Sequence, residues 1–200
     1  LEDSNKTYSF DAAVLFIDIR HSTKLMEESR SETMVKIYRT FMRAMVECVR
    51  KNGGVTRQFL GDRIMGVFKE APDEELSASD KAVNAAIDMQ TAVDYVLNKN
   101  FSKHLNNKLI SCGIGIDYGN IVVTKVGMHG LESDEEKENE LDFVWVGNAT
   151  NHASKYTDLA PGKTIFVSKS CYENLKSVDK YEWEKYARSK DGYTLRGYLL

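Results

Sequence analysis

Hydrophobic and polar positions along the chain change period several times, and each change marks an element. Residues 1–8 are polar and are expected to be loose; the apolar run that follows, over residues 10–19, suits a buried strand. After Thr23 a short helical turn carries Leu25 and Met26 and breaks at Ser29-Arg30-Ser31. Met34, Ile37, Phe41, Met42, Met45, Val46 and Val49 then recur at steps of three and four, which predicts a long amphipathic helix with a methionine-rich core stripe. Asn52-Gly53-Gly54 closes it, because glycine adopts the left-handed conformation of a C-terminal cap without a Cβ clash.

A hairpin is expected over residues 55–69 with its turn at Gly61-Asp62. Residues 76–97 read as a second long helix, with Ala82, Ala85, Ile87, Met89, Ala92, Val93 and Val96 on its apolar side. Strands over 109–116 and 121–126 are predicted, joined by a turn at Asp117-Tyr118-Gly119-Asn120. Residues 129–140 set six acidic residues against Lys137 and predict a solvated acidic loop. A strand over 141–146, a helix from Gly147 to about Asp158, a Pro161-Gly162 turn and a strand over 164–167 come next. A short helix over 168–175 and strands near 181–186 and 193–200 complete the chain. The order strand, helix, hairpin, helix, hairpin predicts an α/β sandwich with its helices on one side of the sheet. Without an internal repeat or low-complexity linker, residues 1–200 are expected to form one domain.

Composition removes several function classes. With 27 basic against 30 acidic residues the net charge is -3, so no large positive field draws a nucleic-acid backbone and no nucleic-acid partner is expected. No apolar run approaches the roughly 18 residues that span a bilayer, and no signal-peptide pattern opens the chain. A cytoplasmic protein without membrane insertion is the expectation. The chain opens Leu-Glu-Asp-Ser without methionine, as an excised domain or a cloning remnant would. Cys48, Cys112 and Cys171 are far apart and form no C-x-x-C, so reduced thiols are expected and neither zinc nor a disulfide framework.

The chemistry concentrates in two stretches. In Phe16-Ile17-Asp18-Ile19-Arg20-His21-Ser22-Thr23 an apolar strand ends in a carboxylate and a Ser/Thr pair follows where a helix can start. In Gly61-Asp62-Arg63-Ile64-Met65-Gly66-Val67-Phe68 a second aspartate occupies a turn. One aspartate at a strand end is most often a turn residue or a cap. Two at neighbouring sheet ends are hard oxygen ligands suited to magnesium or manganese, and this is a phosphoryl-transfer geometry.

These stretches resemble the class III nucleotidyl cyclases, in which F-x-D-I-x-x-x-T is followed about forty residues later by G-D-x-x-x-x-x-F. Gly113-Ile114-Gly115-Ile116, running on to Gly119, resembles a further motif of that family. It is not a dinucleotide fingerprint, because no helix follows it. The resemblance implies a ferredoxin-like βαββαβ core in a mixed, largely antiparallel sheet with extra C-terminal strands. It implies that Asp18, Asp62 and the carbonyl of Ile19 hold two Mg²⁺ or Mn²⁺ ions, with His21, Ser22 and Thr23 at the phosphates. His21 replaces the glycine usual there, and His129 falls near a basic phosphate contact of the family. Thr150-Asn151-His152-Ala153-Ser154-Lys155 matches the family's V-N-x-A-x-R run, so Asn151 is expected to orient the ribose. Lys155 stands in the place of the transition-state arginine, offering charge without the planar fork. Taken alone, Lys155 reads equally as a solvated helix lysine, and His152 as core-lining or exposed. Family members assemble each site from two chains, which implies a homodimer with composite sites.

At the positions by which the family distinguishes adenine from guanine this chain has Gln58 and Val144, so neither purine code is present. A glutamine amide both donates and accepts, as the Watson-Crick edges of uracil and cytosine require. Arg57 lies beside it, and Asp142 shares a strand face with Val144. This departure, with the Phe-Ile-Asp-Ile-Arg-His-Ser-Thr wording, resembles the bacterial pyrimidine cyclases of Pycsar antiphage defence. That resemblance implies cyclic UMP or cyclic CMP as product, UTP or CTP as substrate, and a separate effector protein that senses the messenger. An adenylyl cyclase and a turnover-deficient nucleotide-binding module are the competing readings. A polymerase-palm or diguanylate-cyclase relative is weaker, for lack of a G-G-[DE]-E-F run.

Overall fold

The computed structural model describes residues 7–126 and 142–200; the acidic loop expected over 129–140, and His129 with it, lies outside them. Strand β1 (Thr7–Ile19) begins three residues before the apolar run. Two helices follow, α1 (Ser22–Glu27) and α2 (Ser31–Lys51). The hairpin of β2 (Val55–Leu60) and β3 (Arg63–Lys69) turns at Gly61, whose φ of 65° is open to glycine. Helix α3 (Ala78–Ala92) starts on a reciprocal capping box between Ser77 and Asp80 and continues through a wider π turn (Val93–Leu97) into α4 (Asn98–Phe101). Then come β4 (Cys112–Val126), β5 (Asp142–Val146), α5 (Asn148–Leu159), β6 (Thr164–Ser168), α6 (Lys169–Asn174), β7 (Glu184–Lys190) and β8 (Tyr193–Leu199).

Among the described residues these strands form one eight-stranded sheet in the order β2-β3-β1-β4-β6-β8-β7, with β5 paired to the far half of β4. The β4–β6 pair is parallel and the other pairs are antiparallel. The order β2-β3-β1-β4, with α2 and α3 as crossovers, is the expected ferredoxin-like core carrying extra C-terminal strands. Strand β1 is central because both of its faces are apolar. Ala13, Leu15, Ile17 and Ile19 pack with α2 and α3, whereas Ala12, Val14 and Phe16 pack with Ala149 and Ala153 of α5. Each large side chain fully buried this way, Phe41 and Phe68 among them, contributes roughly 1.5–3 kcal/mol.

Five expectations are corrected. Helices cover both sides of the sheet: α2 and α3 lie on one, α5 on the other, because successive residues of β1 alternate between two apolar surfaces. The turn expected at Asp117–Asn120 is absent, and β4 runs unbroken through it. Asp117, Tyr118, Gly119 and Asn120 stand opposite Val14, Ala13, Ala12 and Asp11 of β1. The Asp117 carboxylate accepts from the Ser170 hydroxyl at 2.7 Å, the Tyr118 amide at 2.8 Å and the Ser168 hydroxyl. Long-range pairing thus overrides local turn propensity. Finally, Val96 is exposed where the π turn rotates the helix face, Leu109 lies outside β4, and β7 starts at Glu184 instead of near Tyr181.

The three cysteines are free and buried, as expected of reduced core thiols. Among the described residues no helix is long and apolar enough to cross a membrane.

Candidate active site

The two aspartates singled out in the sequence lie at one end of the sheet, near enough that the charge of Asp18 acts on Asp62. Ile17 faces Ile64 in the β1–β3 ladder, so Asp18 and Arg63 follow as the next cross-strand pair. Arg63 donates through Nη2 to Asp18 Oδ2 at 2.8 Å and to Asp158 on α5, and through Nη1 to Ser154 Oγ at 2.8 Å. Burial alone would lower the Arg63 pKa; the two carboxylates outweigh it and hold the guanidinium above its ordinary value. Asp62 is placed differently. Its Oδ2 is buried with no hydrogen-bond partner, and burial lifts its pKa above the usual carboxylate range. A hydrogen bond from Ser22 offsets part of that rise, and the Asp18 charge adds to it. Tyr38 of α2 is close enough that, after burial, the charges of Asp62 and Asp18 push its hydroxyl upward as well.

This donor set fits hard cations. A buried carboxylate oxygen without a partner, next to a second carboxylate, is what Mg²⁺ or Mn²⁺ satisfies. Among the described residues no cluster of three or more Asp, Glu, His or Cys side chains forms a cage. Bound ions would therefore complete their shells with the Ile19 carbonyl, water and substrate phosphates, the habit of magnesium at phosphoryl-transfer sites.

Asp18, Ile19, His21, Ser22 and Thr23 line one cleft of about 680 Å³, together with Arg20, Asp158, Pro161 and Arg188. His21 takes the left-handed conformation at φ 56° where α1 begins, a backbone shape that favours the glycine it replaces. Arg20 spans the cleft wall, donating to the carbonyls of Ala160, at 2.7 Å, and Thr157 at the end of α5. Its pKa is lowered by burial, against which Asp18 and Asp158 act.

Asn151 and Lys155 do not line this cleft. Both are exposed on α5, and Lys155 Nζ lies 4.9 Å from the centre of the Tyr193 ring. The helix itself is seated firmly: Thr157 Oγ1 donates to the carbonyls of Phe16 and Ala153, and Gly115 leaves room for its backbone. His152, the neighbour of Asn151, sits 3.2 Å from Asp117 through Nδ1. The base-reading candidates lie on β2 and β5. Arg57 stands over Trp145 of β5 at 5.3 Å, which brings the β2 bulge and β5 together; Gln58 is half-buried and Val144 exposed. The Trp145 indole N–H is buried without a partner. The Asp142 side chain lies outside the described residues. Asn151 and Lys155 thus stand exposed on the same helix that brings Ser154 and Asp158 to Arg63.

Sequence reading missed Arg63, Ser154 and Asp158. A signal was available: Asn151, Ser154, Lys155 and Asp158 recur at helical spacing, so a polar stripe on α5 was legible. Arg63 had no such pattern, and its role depends on which face α5 covers.

A model of the adenylate and guanylate cyclase catalytic domain matches residues 5–198. A uridylate cyclase of Xanthomonas perforans is 29% identical over 188 residues, covering 90% of this chain and 75% of that one. A uridylate cyclase of Burkholderia cepacia is 28% identical over 171 residues, covering 85% and 68%. The crystal structure of an adenylyl cyclase from P. aeruginosa superposes with a TM-score of 0.80 at 23% identity, covering 97% of this chain and 95% of that one.

Proposed function

The chain belongs to the adenylate and guanylate cyclase catalytic-domain family and is a nucleotidyl cyclase domain; on that premise we propose that it converts UTP, or CTP, to the 3′,5′-cyclic monophosphate and pyrophosphate. The observation that carries this reading is the unpaired buried oxygen of Asp62 within electrostatic reach of Asp18, which lines the cleft. Asp18, Asp62 and the Ile19 carbonyl would hold two divalent ions, which when bound neutralise triphosphate charge and ease loss of the ribose 3′-hydroxyl proton. The rest falls to the chain's own groups. Ser22, Thr23 and His21 receive the phosphates at the cleft wall, with Arg188 as a further cation there. The 3′-oxygen attacks the α-phosphorus, the bond to the β-phosphate oxygen breaks, and pyrophosphate departs. Asn151 orients the ribose and Lys155 offsets charge on the five-coordinate phosphorus.

Asn151 and Lys155 are exposed on α5 and are not among the residues lining the cleft of their own chain, which favours a homodimer in which each chain completes the other's site. The Gln58 amide and the absence of a polar group at Val144 favour a pyrimidine, and two relatives named uridylate cyclase put UTP ahead of CTP. The product would serve as a second messenger in antiphage defence, read by a separate effector protein. Incubation with each of the four triphosphates and Mn²⁺, followed by chromatography, tests this: cyclic UMP or cyclic CMP is expected, and cyclic AMP as the main product overturns the base assignment. A second reading, a module that binds nucleotide without turnover, is favoured by the grip of Arg63 on Asp18. Nucleotide binding without product under the same conditions decides for it.

A further inference from the structure

Arg63 immediately follows the turn aspartate, and its guanidinium joins acceptors from two elements: Asp18 of β1 and, four residues apart on one face of α5, Ser154 and Asp158. The side chains of Arg63 and Asp18 are only 20% and 19% exposed, so neither charge is left to water. A half-buried carboxylate pair needs a cation, and a planar guanidinium reaches all three acceptors where an ammonium would not. The oxygen it holds, Asp18 Oδ2, belongs to the carboxylate assigned above to a divalent ion. Two cations at one carboxylate repel each other strongly in a site this poorly hydrated. Asp158 and Ser154 leave Arg63 two partners after Asp18 is lost, with no backbone movement required.

We propose that Arg63 is a positioning residue that competes with the divalent cation for Asp18 and, when the cation binds, gives up Asp18 while keeping Ser154 and Asp158. The proposal rests on the reading of Asp18 and Asp62 as metal ligands. It accounts for three features together: a cation on a candidate ligand, a second carboxylate on α5 sharing it, and a hydroxyl on the same helix face. It also makes ion binding at the sheet end an event felt by the helix that carries Asn151 and Lys155.

Mn²⁺ binding to the full chain without nucleotide, followed by the electron paramagnetic resonance of the free ion, provides a readout independent of turnover. Arg63→Gln is expected to tighten binding about 5-fold or more, and Asp158→Asn to weaken it by a similar factor by leaving Arg63 on Asp18. In the Arg63→Gln background Asp158→Asn is expected to change affinity less than about 2-fold, because the competitor is gone. Equal affinity of wild type and Arg63→Gln overturns the proposal, as does the same Asp158→Asn effect in both backgrounds, which would be simple charge attraction. Should Arg63→Gln not fold, Arg63→Lys carries the test: it keeps the charge but cannot hold Asp18, Asp158 and Ser154 together, so tighter Mn²⁺ binding is expected, and an unchanged affinity refutes the competition. Asp62→Ala separates the two levels. If wild type has no Mn²⁺ site sensitive to that change, the ligand assignment and the proposal fail together; if the site exists and Arg63→Gln leaves it unmoved, the proposal alone fails.

Discussion

A Cβ placed on Gly115 would stand 2.1 Å from the backbone nitrogen of Thr157, so helix α5 rests directly on the main chain of β4. Gly113, two residues earlier on the same strand, gives the same room to the Arg20 guanidinium. The Gly-x-Gly pattern is therefore a seat for the helix bearing Asn151 and for the arginine that holds its C-terminal end. Gly115→Ala is expected to lower stability by about 1–3 kcal/mol through overpacking, read as a reduced urea midpoint at unchanged slope. A midpoint equal to wild type would show that α5 is not held this closely.

Asp62 sets up a conflict between stability and metal binding. Its raised pKa means that the folded chain binds the proton more tightly than the unfolded one. Its contribution is fully present below the ordinary carboxylate value of about 3.9 and is lost as pH rises through the raised folded value. At neutral pH without metal, Asp62→Asn should therefore melt a few degrees higher than wild type, with the difference shrinking below pH 4 or so. Saturating Mg²⁺ or Mn²⁺ should raise the melting temperature of wild type but not of the variant. A variant less stable than wild type at pH 7 in chelator would count against the unpaired state of its Oδ2.

Lys155 and Asp62 are expected to serve different sites of one dimer. Lys155→Ala should cut kcat on the order of 100-fold with a smaller change in KM, since its charge acts on the transition state, and Lys155→Arg should retain most turnover. Mixing the Lys155→Ala and Asp62→Ala proteins should restore activity to about a quarter of wild type, because half the dimers then contain one intact site. No recovery after subunit exchange has been verified would rule out composite sites.

The thiols offer an independent check on the core. Burial raises the pKa of Cys48 to about 11 and of Cys171 to about 12, and raises that of Cys112 as well, so thiolate is scarce at all three. A disulfide reagent at pH 8 should label none of them in the native protein and all three after unfolding in urea. Rapid labelling of Cys112 in the native state would contradict its place between β1 and β6.

How far the sequence reached depended on the range of the interactions involved. Periodicity located α2, the β2–β3 hairpin and α5, since each is stated by its own residues within a few turns or pairs. Asp18 and Asp62 were legible for the same reason: each closes a local pattern, an apolar run or a Gly-Asp turn. The stretch at Asp117 was misjudged because its turn-forming residues are held straight by β1 and by serines some fifty positions later.

The chain's own order thus determined which elements exist and where two carboxylates cap them. Which side of the sheet α5 occupies, and hence that Arg63 lies between Asp18 and Asp158, was decided only on folding. The reason is physical. Both surfaces of β1 are apolar, so local pattern permits a helix on either, and α5 settles where Gly115 admits the backbone of Ala153 and Thr157 and where Ala149 and Ala153 join the cluster of Ala12, Val14 and Phe16.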